Sequence, residues 1–266
     1  MFKTHPDGMR MEPTPERVLA VCRMVAKQSM KKEDLQSLMA LNWKADADYQ
    51  TVNLSITVAM DELGLLQNKN GLICYAADPS IISSTENFRR YVSGMVFHKA
   101  DTSFAMFSKW VIAQNERLFT LGKWEVMAKT CKEENPAMKN LGENAALGWR
   151  FWAAFLGLGY LSGTMLIPNM KMRIQDILAT SFSDRFQYGE AILAKDFIQW
   201  LTTRLPEADL RDRLPLAVSA GLRTLHELGL IKLESWRDSV RVPLYRIDGD
   251  PINDFSHITV YEEVCR

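Results

Sequence analysis

At 266 residues and 47% hydrophobic content, the chain can hold two or three small domains with proper cores. Its 32 Lys and Arg are matched by 32 Asp and Glu, which excludes a polycation held to nucleic acid by bulk charge. Residues 1–80 carry 9 basic and 10 acidic side chains, 81–150 carry 10 and 7, and 151–266 carry 13 and 15. Cys22, Cys74, Cys131 and Cys265 form no C-x-x-C pair, so they predict neither a zinc site nor disulfides and fit a reducing compartment. No signal-peptide core is visible at the N-terminus, and the apolar cluster Trp149 to Leu161 is too short to span a bilayer. The expected setting is soluble and cytoplasmic.

Residues 1–13 read as a polar lead-in. Thr14-Pro15-Glu16 then predicts a helix start, with Val18, Val21, Cys22 and Val25 as its buried stripe. A second short helix is expected near Lys31, with Leu35, Leu38 and Met39 inward, and the loop Asn42 to Asp48 leads to a third. On that third helix Val52, Ile56, Ala59, Met60 and Leu63 share one apolar face. Gly64 suits the left-handed residue that closes a helix, and Asn70-Gly71 is a type I′ turn signal between two short strands.

The same signature recurs. Glu227-Leu228-Gly229-Leu230-Ile231 matches Glu62-Leu63-Gly64-Leu65-Leu66, placing Ala217, Gly221, Thr224, Leu225 and Leu228 on the buried face of a preceding helix. Strands are expected at Leu230 to Leu233 and Val240 to Ile247, with a charged wing between them and a final strand at His257 to Val260. A weaker copy, Gly157-Leu158-Gly159, aligns Gly159 with Gly64 and sets Leu147, Phe151, Ala154, Phe155 and Leu158 inward. A plain helical bundle would give this middle stretch the same apolar stripe.

Helix, glycine stop, strand, tight turn, strand resembles the third helix and wing of the winged helix-turn-helix superfamily, over 14–76 and again over about 171–247. The expected fold is mainly α with small β-hairpins (α+β). Its tandem units are 1–80, a helical segment 81–168 ending in a second copy, and 169–266. Serial arrangements of this size are similar to accessory subunits of bacterial DNA-modification, plasmid-restriction and antiviral defence systems, and to those on SMC-kleisin complexes.

In such a fold the third helix enters the major groove and the wing touches the backbone. Off the buried face of the first copy stand Gln50, Thr51, Asn53, Ser55 and Thr57, which can hydrogen-bond base edges or phosphates. Lys31, Lys32, Lys69 and Asn70 are placed to reach phosphates. The plainer alternative is a solvated polar face.

The corresponding positions of the later copies are apolar: Trp152 in the middle and Pro215, Val218 and Leu222 in the last. Exposed apolar residues mark packed interfaces, so these four are expected to dock partner proteins. The alternative is that the helical phase is off by one and they are core.

Trp110, Trp124, Trp149 and Trp152 interleave with Lys123, Lys129, Lys132, Lys139 and Arg150, superficially the recipe for single strands, although aromatics at helical spacing are far more often core. No metal-ligand spacing, phosphate loop or nucleophile elbow appears, so no enzyme, cofactor or metal is expected. The expected function is a non-catalytic DNA-binding adaptor in a bacterial DNA-handling complex. The rivals are a scaffold that binds only protein, and a ligand-responsive repressor with the aromatic-rich middle as effector pocket.

Overall fold

A computed structural model describes residues 1–2, 9–40, 49–99, 101–211 and 213–265, and the expected loop Asn42 to Asp48 lies outside them. The chain is mainly α-helical with small antiparallel sheets. No helix among the described residues is long and apolar enough to cross a membrane. Two compact units form, one from Met1–Phe104 with Trp124–Phe155 and one from Ala105–Lys123 with Leu156–Arg266. The sequence suggested divisions at 80/81 and 168/169 instead.

In the first unit, α1 (Pro15–Lys27) starts as expected and buries Val18, Leu19, Val21, Cys22 and Val25, although the Thr14 hydroxyl makes no capping bond. Strand β1 (Met30–Lys31) leads directly into α2 (Lys32–Ala40). Helix α3 (Gln50–Thr57) runs on into a π-helical turn, Val58–Glu62. Gly64 follows at φ 65°. The hairpin β2 (Leu66–Lys69) and β3 (Leu72–Tyr75) comes next, and β1 completes the sheet in the order β1-β3-β2. Helix α4 (Thr85–Phe97) is capped by Ser84, whose hydroxyl accepts from the Asn87 N–H.

Helices α5 (Ser103–Ala113) and α6 (Arg117–Leu121) precede the chain's return to the first unit. There α7 (Trp124–Glu134) and α8 (Glu143–Phe155) complete an aromatic core. Phe2 meets Phe104 and Trp152 edge-on at centroid distances of 5.1 and 4.9 Å, and Trp149 packs on Trp124 and Phe104. The four tryptophans that interleave with basic residues are core, as their helical spacing favoured: Trp110 and Trp124 are 8% and 7% exposed, Trp149 and Trp152 0%.

The second unit continues with the hairpin β4 (Gly159–Ser162) and β5 (Met165–Pro168). After it come α9 (Lys171–Ser181), β6 (Ala191–Leu193), α10 (Ala194–Thr202), α11 (Leu216–Glu227) and β7 (Ile231–Glu234). The expected second wing strand at Val240 to Ile247 does not pair with β7. Within that stretch β8 (Val242–Pro243) pairs with β9 (Asp254–Phe255) in a separate ribbon. The partner of β7 is the tail strand β10 (His257–Val260), which sits centrally in the order β6-β10-β7. Apart from the β8–β9 ribbon inserted before β10, helix, strand, helix, helix, strand, strand with the first strand against the last is thus shared by α1–β3 and by α9–β10.

The middle copy keeps the helix stop but in a shifted register. Gly157 takes φ 80°, matching Gly64 and Gly229 (φ 70°), and in each case the next strand begins two residues later. Gly159 instead lies in β4, where a Cβ would fall 2.3 Å from the Ile167 carbonyl oxygen. Aligning Gly157 with Gly64 moves the buried set back by two residues, to Ala145, Trp149, Trp152, Ala153 and Leu156, all of them buried. Two residues turn a helix by about 200°, so the face expected outward is the inner one.

Gly64→Ala should cost about 1 kcal/mol, from the left-handed backbone alone, because nothing lies within 4 Å of the added Cβ. Gly157→Ala should cost clearly more, since its Cβ would also sit 2.6 Å from the Arg173 backbone nitrogen. Denaturant unfolding of the two variants checks the order.

Burial pushes the Cys22 and Cys131 thiols up to about 12, and both side chains are 0% exposed. Cys74 is half-buried and Cys265 exposed. A thiol-disulfide reagent at neutral pH should therefore label two cysteines in the native protein and all four only after unfolding.

Candidate nucleic-acid interface

The β-register of the first unit brings two of the expected lysines together. Lys31 on β1 and Lys69 on β2 both stand opposite Leu72 of β3. Directly opposed residues point to the same sheet face, so Lys31, Leu72 and Lys69 form one row. The two lysine stems are about 10 Å apart, two strand spacings. All three side chains are exposed, Leu72 to 39%, while the adjacent Ile73 points the other way and is 2% exposed.

The hairpin tip is tight because Asn70 (φ 54°) and Gly71 (φ 81°) both take the left-handed conformation that the Asn-Gly pair predicts. The side-chain oxygen of Asn68 accepts from the Gly71 N–H at 3.0 Å, which fixes the tip with Lys69 and Asn70 exposed. Lys32, also exposed, opens α2, but Glu33 and Asp34 follow it in the first turn and moderate the local positive charge.

Helix α3 presents less than its sequence promises. Gln50 and Thr57 are exposed, and Thr51 and Asn53 are half-buried. The Asn53 side-chain oxygen accepts from Gln36 Nε2 at 2.6 Å, so its amide group is the half left for a base edge. Ser55 is a correction: it is 1% exposed and its hydroxyl donates to the Thr51 carbonyl at 2.9 Å, a bond back along the helix that turns it from any ligand.

The four residues expected to dock partners are a second correction. Trp152, in the first unit, is 0% exposed and its indole N–H donates to the Pro13 carbonyl at 2.6 Å. In the second unit Val218 and Leu222 are 0% exposed and Pro215 is buried at the start of α11. In the second unit the segment between β8 and β9 is also bonded to α11. Arg223 donates to the carbonyls of Tyr245 and Ile252 and pairs with Asp250 at 2.8 Å, and the Ser219 hydroxyl accepts from the Tyr245 N–H at 2.8 Å. Leu244, 2% exposed, completes the cover. The helix that corresponds to α3 is therefore tied down by the segment between β8 and β9.

The sequence reading missed Leu72 as an exposed apolar residue between two lysines. Strand alternation, with Ile73 inward, carried that signal. It also missed an open cavity of about 630 Å³ in the second unit, lined by residues from distant parts of the sequence. Among the described residues no group of three or more His, Cys, Asp or Glu is placed to hold a metal ion. No family model, curated protein or solved structure matches the chain.

Proposed function

We propose that this chain is a non-catalytic adaptor of a bacterial DNA-handling complex, for modification, defence or segregation, and that its first unit is a winged helix-turn-helix contacting duplex DNA. One observation carries the reading. Two segments share one sheet order, yet of their corresponding helices only α3 offers exposed polar residues, in the unit that also carries the Lys31, Leu72 and Lys69 row. In this reading Gln50 and Asn53 meet base edges, Thr57 stands beside them, and Lys31, Lys32, Lys69 and Asn70 meet phosphates. The second unit, its α11 sealed, then serves contacts other than duplex readout, and its exposed Trp236 and Val240 fit a protein partner better than a phosphate.

Titrating labelled duplex at low salt and then raising the salt tests this: binding should weaken with a modest slope set by a few neutralised phosphates. The balanced net charge and the acids beside Lys32 favour a second reading, a scaffold that binds only protein. Absence of duplex binding at low salt would decide for it.

A further inference from the structure

The open cavity of about 630 Å³ in the second unit has the size of a small-molecule site. Leu216 and Ala220, near the start of α11, line it together with Phe119 of α6, Tyr160 and Ile167 of the β4–β5 hairpin, and the segment Tyr245 to Asp248. Phe119, Tyr160 and Ile247 are 42%, 55% and 37% exposed, and it is unusual for three large apolar side chains left in water to line one cleft.

The polar groups of the lining are unequal in what they have left to offer. Burial, then the nearby Glu116 carboxylate, raises the pKa of the Tyr245 phenol. The Arg213 guanidinium lies over the Tyr245 ring, its central carbon 5.4 Å from the centroid. Arg246 and Asp248 are exposed on the lining. The lining therefore carries two guanidiniums, Arg213 and Arg246, and two carboxylates, of which Glu116 lies beside Tyr245 and Asp248 is exposed.

We propose that this cleft binds a planar aromatic small-molecule anion, its ring against Phe119 and Tyr160 and its carboxylate or phosphate held by Arg213 and Arg246. Exposed aromatic rings favour a flat π-system, and guanidiniums favour a forked anion. Asp248 opposes the anion and makes the test sharper.

The experiment screens full-length protein against benzoates, indole-3-acetate and phenyl phosphate by saturation-transfer NMR, with affinities from calorimetry. At least one of these anions should bind at a single site, and indole-3-acetamide should bind about tenfold more weakly than its acid, the loss expected for one charge-assisted contact. Arg246→Gln should weaken the anion about tenfold, and Asp248→Asn should tighten it about threefold by removing a like charge. Ala220→Trp, which fills the cleft, should abolish binding. Should that variant misfold, Phe119→Ala removes an exposed ring and should still weaken binding several-fold. No binding by any anion of the panel overturns the proposal. So does binding unchanged by Arg246→Gln, or weakened by Asp248→Asn, which would mark a cationic or zwitterionic ligand.

Discussion

Reversing Lys31, Lys32 and Lys69 together to glutamate should reduce duplex affinity about a hundredfold at low salt, and should flatten the salt dependence. Each phosphate neutralised adds about 0.9 to the slope of log affinity against log salt, so three lysines account for about 2.7. Between about 50 and 200 mM salt that slope alone is worth roughly fortyfold. The triple variant should lose this component while keeping its fold, because all three side chains are exposed and none lies in the core. Lys195→Glu, an exposed lysine of α10 in the other unit, serves as the control and should leave the slope unchanged. If the triple variant binds duplex with the slope of the unaltered protein, the β1–β3–β2 face is not where phosphates lie.

Sequence preference should depend on a different set. Gln50→Ala with Asn53→Ala should relax discrimination at one or two base pairs by about 1–3 kcal/mol each, while leaving the salt slope intact. Asn53 holds Gln36 with its oxygen, so its replacement also removes a contact between α2 and α3. Ser55→Ala should change nothing in preference, since the hydroxyl is spent on the Thr51 carbonyl.

Features dictated by a few neighbouring residues were legible without coordinates. The Asn70-Gly71 turn, the stop at Gly64 and the stripe Val18, Val21, Cys22 and Val25 all express local backbone or periodicity rules. The middle copy was misaligned because two glycines stood two residues apart and either could close the helix. Gly157 does so, while Gly159 admits the Ile167 carbonyl, a contact from the opposite strand. The pairing of β7 was not legible because its partner β10 lies beyond an insertion of more than twenty residues that also bonds to α11. The row of Lys31, Leu72 and Lys69 likewise exists only through strand register. The cleft in the second unit draws on four separate stretches and left no periodic trace.

The covered helices carry the other large expected effect. Had Trp152 and Leu222 been docking residues, truncating them would spare stability and remove a partner. Buried as they are, Trp152→Ala should cost about 3–5 kcal/mol and Leu222→Ala about 2–5 kcal/mol, from lost transfer energy and the cavity left behind. Trp152→Ala has a second component, because the Pro13 carbonyl loses its indole donor inside an apolar cluster containing Phe2, Phe88 and Phe155. Trp152→Phe should recover most of the packing and none of the hydrogen bond, separating the two contributions. At about 2–4 °C per kcal/mol, each alanine variant should melt roughly 4–20 °C lower. Arg223→Met makes the companion test of the seal on α11. It strands the Asp250 carboxylate and the Tyr245 and Ile252 carbonyls, and should destabilise the second unit by about 3–5 kcal/mol. Hydrogen exchange should then show residues 244–252 opening first. An Arg223→Met protein with native protection over that segment would mean that the segment is held on the helix by apolar contact alone, with Leu244 as its anchor.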